Sequence, residues 1–461
     1  MKIPRIGYIA IAGISLFFIT KFVTPAISTS TSICEAAHHL DRISCGDKIL
    51  LIPAGGKNRR EKEAGFTAIK NKDFRQGIEL LQKDHDLSKD PETLIALNNA
   101  KIAQDRPQNI KTIAVVIPSS QTPEYVSESM LKGIAAAQQE FNQKDRKWQL
   151  QVAIADDSND PNEGKKIAEE LVKHKDILAI LGHYSSNVTV NVKDTYNRAQ
   201  TVLLSATSSA DDLTSQKNDN NYFFRVVSST QVSGEQLAKK WAIKPEKIAL
   251  FYTPNKKFSE SLRKAFLARI PSTNIVKEFD LSSRNNAEQE IAVAKAAGAK
   301  TIVIIPDAYT DANERDRVLS IIKATQGQLP ILGASILRDA YLFKVNPLYL
   351  KNLTIAIPIH ASDRQYIDGA RLNQMPNWWG AKSQIHDRII NSYDGMQVLL
   401  AALDRSTNRE TMRQTIAAPD FTVRGITGKI SFNGSDRNEK IDSLVTPTNC
   451  DDKKCNFELA K

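Results

Sequence analysis

From residue 112 onward, short unbroken apolar runs alternate with longer stretches of helical period. Residues 112–117 (TIAVVI), 148–155, 177–181 and 201–204 read as four strands. Between the first two, Met130, Ile134, Ala137 and Phe141 recur at helical spacing, and Asp160-Pro161 opens a second helix, since proline suits a first turn. The alternation resumes with strands at 247–252, 275–279, 301–305 and 331–333, separated by helices near 259–269, 287–297 and 311–326. Continuous apolar strands alternating with helices predict parallel sheets covered on both faces. There are two such sets, and one sheet would not comfortably absorb all the strands. The expected fold class is α/β, with two Rossmann-like lobes.

Upstream, the pattern is different. Residues 29–60 are polar and irregular, with a strand-like run at 48–52. Residues 61–103 read as two helices. Ala64, Ala68, Ile69, Phe74, Ile78 and Leu81 lie on the first, and Asp90-Pro91 opens the second with Leu94, Leu97 and Ala100 on one face. Gly65, Ala68, Phe74, Gly77 and Pro91 resemble a tetratricopeptide unit stretched by about two residues, although a solenoid needs about three units. With Arg106-Pro107 as a linker, residues 29–107 are expected to form a small helical appendage separable from the sheets. At the very start, MKIPR is followed by the uncharged run IGYIAIAGISLFFIT, and Lys21 interrupts before Ile27. The basic flank leaves the N-terminus in the cytoplasm and exports the remainder of the chain. Residues 1–28 are a signal peptide or a membrane anchor, and the anchor is favoured if Lys21 snorkels.

Charge and cysteine usage narrow the picture. The formal net charge is +10, and residues 1–112 hold 17 Lys and Arg against 12 Asp and Glu. No basic block concentrates the excess, so a nucleic-acid partner is not expected. The four cysteines form two close pairs, Cys34 with Cys45 and Cys450 with Cys455. In an exported chain these are expected as local disulfides. A zinc site involving His38 and His39, or free thiols, are the alternatives, and the metal spacing matches no common structural site.

The motifs of catalysis are missing: no G-x-S-x-G, no H-E-x-x-H, and no G-x-G-x-x-G after a strand. Gly425-Ile426-Thr427-Gly428-Lys429 lacks the spacing of a phosphate loop, and Asp156-Asp157 with Asp160-Pro161 reads as a turn and a helix cap. Neither an enzyme nor a cofactor or metal site is expected. What is present is hydroxyl-rich sequence at strand ends: Gly182-His183-Tyr184-Ser185-Ser186-Asn187, and Ser205-Ala206-Thr207-Ser208-Ser209. Open α/β sheets bind ligands at the carboxyl ends of their strands, and hydroxyls beside a helix start suit a carboxylate.

The runs ADDSNDP, LGHYSSNVT, LLSATSSADDLT, YFFRVV, FYTPNKKFSESLRKAF and SYDGMQVLLAAL, in that order, resemble type I periplasmic binding proteins of the branched-chain amino-acid group. The resemblance covers about 111–445. Joined to the tetratricopeptide-like segment, it is similar to cyanobacterial members. It implies two lobes joined by three crossovers, placed near 226–230, 353–360 and 423–430. Lobe 1 is then 111–228 with 359–425, and lobe 2 is 229–358 with 426–461. It implies a small amino-acid-like or carboxylate ligand held between the lobes, and a membrane ABC permease as partner. By position, Ser186 falls on the ligand-carboxylate serine with Ser185 beside it; Ser209 falls on a side-chain threonine contact and Thr207 on a backbone contact, with Ser208 between them. Phe258 and Tyr309 fall near two cleft tyrosines of lobe 2. Ser335 stands where that group carries the acid that pairs with an α-ammonium, and Asp307 or Asp339 is a candidate substitute. A membrane-anchored sensory ectodomain, or a cell-wall scaffold with a degenerate cleft, is the alternative role.

Overall fold

The computed structural model describes residues 1, 32–51, 59–144, 146–214, 221–307, 312–339, 341–380, 384–451 and 455–460. Two mixed sheets of mostly parallel strands organise the chain. The strands are β1 (Ile43–Ser44), β2 (Ile110–Ile117), β3 (Gln149–Asp156), β4 (Ile177–Leu181), β5 (Val202–Ser205), β6 (Phe223–Arg225), β7 (Ile248–Tyr252), β8 (Ile275–Asp280) and β9 (Thr301–Ile305). They continue as β10 (Ile331–Gly333), β11 (Leu353–Ile357), β12 (Val423–Gly425), β13 (Gly428–Ile430), β14 (Phe432–Asn433), β15 (Asp436–Arg437), β16 (Ser443–Thr448) and β17 (Asn456–Leu459).

The first sheet has the order β1-β3-β2-β4-β5-β6-β15-β14, and the second β17-β16-β11-β10-β9-β7-β8. Strands β2 to β6 run parallel, as do β7 to β11, and antiparallel strands finish the edges of each sheet. The central strands are apolar throughout because helices cover both faces, so alternation is lost: β9 and β11 are buried at every residue. Each such Ile or Val contributes roughly 1.5–3 kcal/mol relative to exposure.

Two expectations are corrected. The N-terminal helices are not a detached appendage, and they number three rather than two: Arg60–Lys70, Phe74–Ser88 and Pro91–Asp105. Lys72, in the left-handed region at φ 63°, breaks the first predicted helix, and Asp73 caps the next by accepting from the Gln76 N–H. Helix Pro91–Asp105 buries eleven of its fifteen residues, far more than a one-sided helix would. Leu94, Ile95 and Leu97 share one core with Leu150, Val152 and Leu399 of lobe 1. Where β1 ends, β3 would present an open edge. There Asn99 donates to the Val152 carbonyl at 2.7 Å and accepts from its N–H at 3.2 Å. The strand beside β3 is β1. Upstream of the helices, Leu50 and Leu51 donate their N–H groups to Glu92.

The second correction concerns the last crossover. Residues 426–442 do not belong to lobe 2, because β14 and β15 extend the first sheet through the β15–β6 pairing. The chain therefore returns to the second sheet between Arg437 and Ser443, where β16 pairs with β11. Both disulfides form, Cys34–Cys45 beside β1 and Cys450–Cys455 between β16 and β17. Apart from Met1, the anchor or signal expected at 1–28 lies outside the described residues, among which no helix is long and apolar enough to cross a membrane.

Candidate functional site

The loops that follow the strand ends of the two sheets meet. After β4, Gly182 turns the chain at φ 148°, where a side chain would meet the Val116 carbonyl at 2.7 Å. The loop then enters helix Ser186–Arg198, with Ser185 as its cap. After β5, the loop 206–210 folds onto this helix start. Thr207 Oγ1 donates to the Tyr184 carbonyl at 2.8 Å, and Ser208 Oγ donates to the His183 carbonyl at 3.1 Å. The Ala210 N–H donates to Ser186 Oγ at 3.1 Å.

These bonds divide the five hydroxyls expected from the sequence. Thr207 and Ser208 spend their protons on the 183–184 carbonyls and so fix the loop. Ser185 and Ser186 act as acceptors, from the Val188 and Ala210 N–H groups, which leaves each hydroxyl proton available. Ser209, between Ser208 and Ala210 in the facing loop, is 8% exposed. Ser185, Ser186, Thr207 and Ser208 are brought together at the positive end of a thirteen-residue helix.

A buried group that sequence reasoning missed supports this loop from below. His183 Nδ1 lies 2.6 Å from Asp157 Oδ2 and its Nε2 lies 3.0 Å from the Tyr196 hydroxyl. All three side chains are fully buried, and burial followed by the Asp157 charge pushes the Tyr196 phenol well above its ordinary value. The trio positions the 183–184 backbone; it has no access to a substrate. Its sequence signals were a histidine two residues past the end of β4 and Asp157 just past the end of β3, the latter read only as part of a turn.

Lobe 2 contributes the other wall. Asp307, after β9, accepts from Asn187 Nδ2 at 2.7 Å, and the Lys257 N–H donates to Asn187 Oδ1 at 2.8 Å. The Asp211 N–H donates to Ser261 Oγ at 2.8 Å, and Thr230 Oγ1 and Ser261 Oγ share a bond of 2.6 Å. Phe258 is the second residue of helix Lys257–Leu267, beside these contacts, and its ring is half-buried against the lobe 2 clusters. Ser335 begins the short 3₁₀ turn Ser335–Asp339 after β10 and is half-buried. Tyr309 lies outside the described residues, as does the side chain of Asp339. Asp307, one of the two candidate substitutes for a missing acid, is 2% exposed.

Further along the interface, Arg338 of the same 3₁₀ turn pairs with Asp387, the first residue of helix Asp387–Arg405 in lobe 1. That helix carries the run SYDG. Its buried Asp394 accepts from the Ile426 and Thr427 N–H groups and so shapes the turn between β12 and β13. This explains why the glycine-rich run at 425–429 makes a hairpin.

Two α/β lobes that meet at their strand ends, with hydroxyls on one side and a carboxylate on the other, define a two-lobed ligand-binding architecture. Residues 111–440 match the periplasmic binding protein family, and the chain belongs to it. No curated protein matches the sequence. Among solved structures, an ABC transporter substrate-binding protein from Desulfitobacterium hafniense in complex with Leu is similar, with a TM-score of 0.63 and 21% identity. That match covers 76% of this chain and 100% of the other. The branched-chain amino acid transporter substrate-binding protein LivJ from Streptococcus pneumoniae, in complex with isoleucine, gives 0.62 at 17% identity, covering 77% and 100%. A solute-binding protein from R. palustris in complex with 4-hydroxybenzoate gives 0.62 at 15% identity, covering 77% and 96%. At these identities the similarity speaks to the fold.

Proposed function

We propose that this protein captures a small carboxylate between its lobes on the extracytoplasmic side of a membrane and presents it to an ABC permease. The observation that carries this reading is the site itself: the hydroxyl-bearing start of helix Ser186–Arg198 faces Asp307 across the cleft through Asn187. A helix N-terminus with hydroxyls suits an anion. Leucine, isoleucine and 4-hydroxybenzoate, held by three similar structures, have a carboxylate in common and little else. Ser185, Ser186 and Ser209 take the carboxylate, and Thr207 and Ser208 hold the loop in place. Phe258 and Tyr309 close over the ligand by packing. Ser335 supplies no charge, and Asp307 receives an ammonium if the ligand has one. Residues 1–28 provide export or anchorage.

Calorimetric titration with leucine and with 4-hydroxybenzoate tests the reading. Ser186→Ala is expected to weaken either ligand by roughly 1.5–3 kcal/mol, the value of a hydrogen bond to a charge. Asp307→Asn is expected to weaken only the amino acid. A bound carboxylate whose affinity ignores Ser186→Ala overturns the assignment.

A further inference from the structure

The ligand site between Ser186 and Asp307 does not account for a second cavity, of about 270 Å³, on the Arg338 side of the interface. Arg338, Ile357, Ile359, His360, Ile385, His386, Asp387, Asn456 and Phe457 are among its walls; Ser185–Asn187 and the 205–210 loop are not. Two of these residues sit on β17, beyond the part of the chain that matches the family.

The walls have a clear division. Ile357, Ile359, Ile385 and Phe457 make one side apolar. Arg338 faces them with its side chain 7% exposed, and one terminal nitrogen pairs with Asp387. Among the described residues, Asp387 is the only acceptor that this guanidinium meets, so donors remain for a further acceptor. The His386 ring makes no hydrogen bond among the described residues. Burial, followed by the charges of Arg338 and Arg388, holds its pKa down at about 3, so the ring is neutral near pH 7. His360 is likewise lowered by burial. With both imidazoles neutral, the cations Arg338 and Arg388 act on Asp387 as the opposing charge.

We infer that this cavity is a second binding site, for a small carboxylate with an apolar body, seated with its acid group on Arg338 and His386. Arg338 belongs to lobe 2 and Asp387 to lobe 1, so a molecule bound there touches both lobes and favours their closed arrangement.

Fluorine NMR titration of the full chain with 4-fluorobenzoate tests this. Two binding sites are expected in the unaltered protein. Ile385→Trp, which fills the cavity from a half-buried position, and His386→Phe should each weaken one of them at least tenfold. The site that survives Ser186→Ala should be the one lost with Ile385→Trp. No binding, a single site abolished by Ser186→Ala, or two sites indifferent to both cavity-filling variants would each overturn the inference. Loss with the cavity variants but indifference to Ser186→Ala in every site would leave this site standing and remove the one proposed in the first cleft.

Discussion

Asn187 and Asp307 meet across the two lobes, with the amide nitrogen 2.7 Å from the carboxylate oxygen. The same amide accepts from the Lys257 N–H, so one side chain of lobe 1 is held by two elements of lobe 2. Asn187→Ala removes a donor from a buried carboxylate, at a cost of about 1–3 kcal/mol. The variant is expected to unfold at lower temperature, and small-angle scattering should show a larger radius of gyration. An unchanged radius would show that this contact does not hold the lobes together.

Thr207 and Ser186 are expected to behave differently although they lie in facing loops. Thr207→Val deletes a bond to the Tyr184 carbonyl and should cost about 1 kcal/mol of stability. Its effect on ligand affinity should be smaller than that of Ser186→Ala. Paired denaturation and titration experiments on the two variants read both quantities.

A chain that starts at residue 108 should fail to fold. It would lose helix Pro91–Asp105, expose Val152 at an open strand edge, and empty the core that Leu94, Ile95 and Leu97 fill. Expression followed by near-UV circular dichroism checks this; a soluble product with native tertiary signal would refute it.

Replacing Cys34 and Cys45 together by serine opens a loop of sequence separation 11. Chain-entropy reasoning puts the loss at roughly 2–3 kcal/mol, read from the shift in urea midpoint. The cost should fall on lobe 1, since both cysteines pack against the cluster that contains Ile33, Ile43 and Ala155.

Stability should fall on acidification through the window set by His386. Its pKa drops from 6.5 to about 3, through burial and then the charges of Arg338 and Arg388, with Asp387 opposing and Lys132 adding to the effect. Between these values the unfolded chain binds a proton that the folded chain does not. Folding free energy is therefore lost as pH falls below 6.5, with a slope approaching about 1.4 kcal/mol per pH unit. His386→Phe should flatten that slope in denaturation series between about pH 4 and pH 7.

Strands such as β4 and β9 were legible because they are apolar throughout, whereas β6 and β11 were not read as strands. The run 177–181 is β4 and 301–305 is β9, residue for residue. The serine loops were legible too, since cap and strand end adjoin in sequence. What could not be read was pairing at long range. Nothing local to Asn99 announces that its partner is Val152, and Arg338 and Asp387 are 49 residues apart. The short β15 joins the first sheet at a single register pair, Asp436 with Arg225, which no periodicity reveals. Nor was the burial of helix Pro91–Asp105 legible: it reads in sequence as one apolar face of Leu94, Leu97 and Ala100, yet it also buries Glu92, Asn98 and Asn99.

The two disulfides also make the chain ends useful. Cys34–Cys45 packs into a cluster of lobe 1, whereas Cys450–Cys455 packs into one of lobe 2. The segment at Cys34 is thus clipped to one lobe and the segment at Cys455 to the other. A donor dye near residue 35 and an acceptor near residue 458 would report the angle between the lobes directly. Energy transfer between them would follow opening and closing in real time.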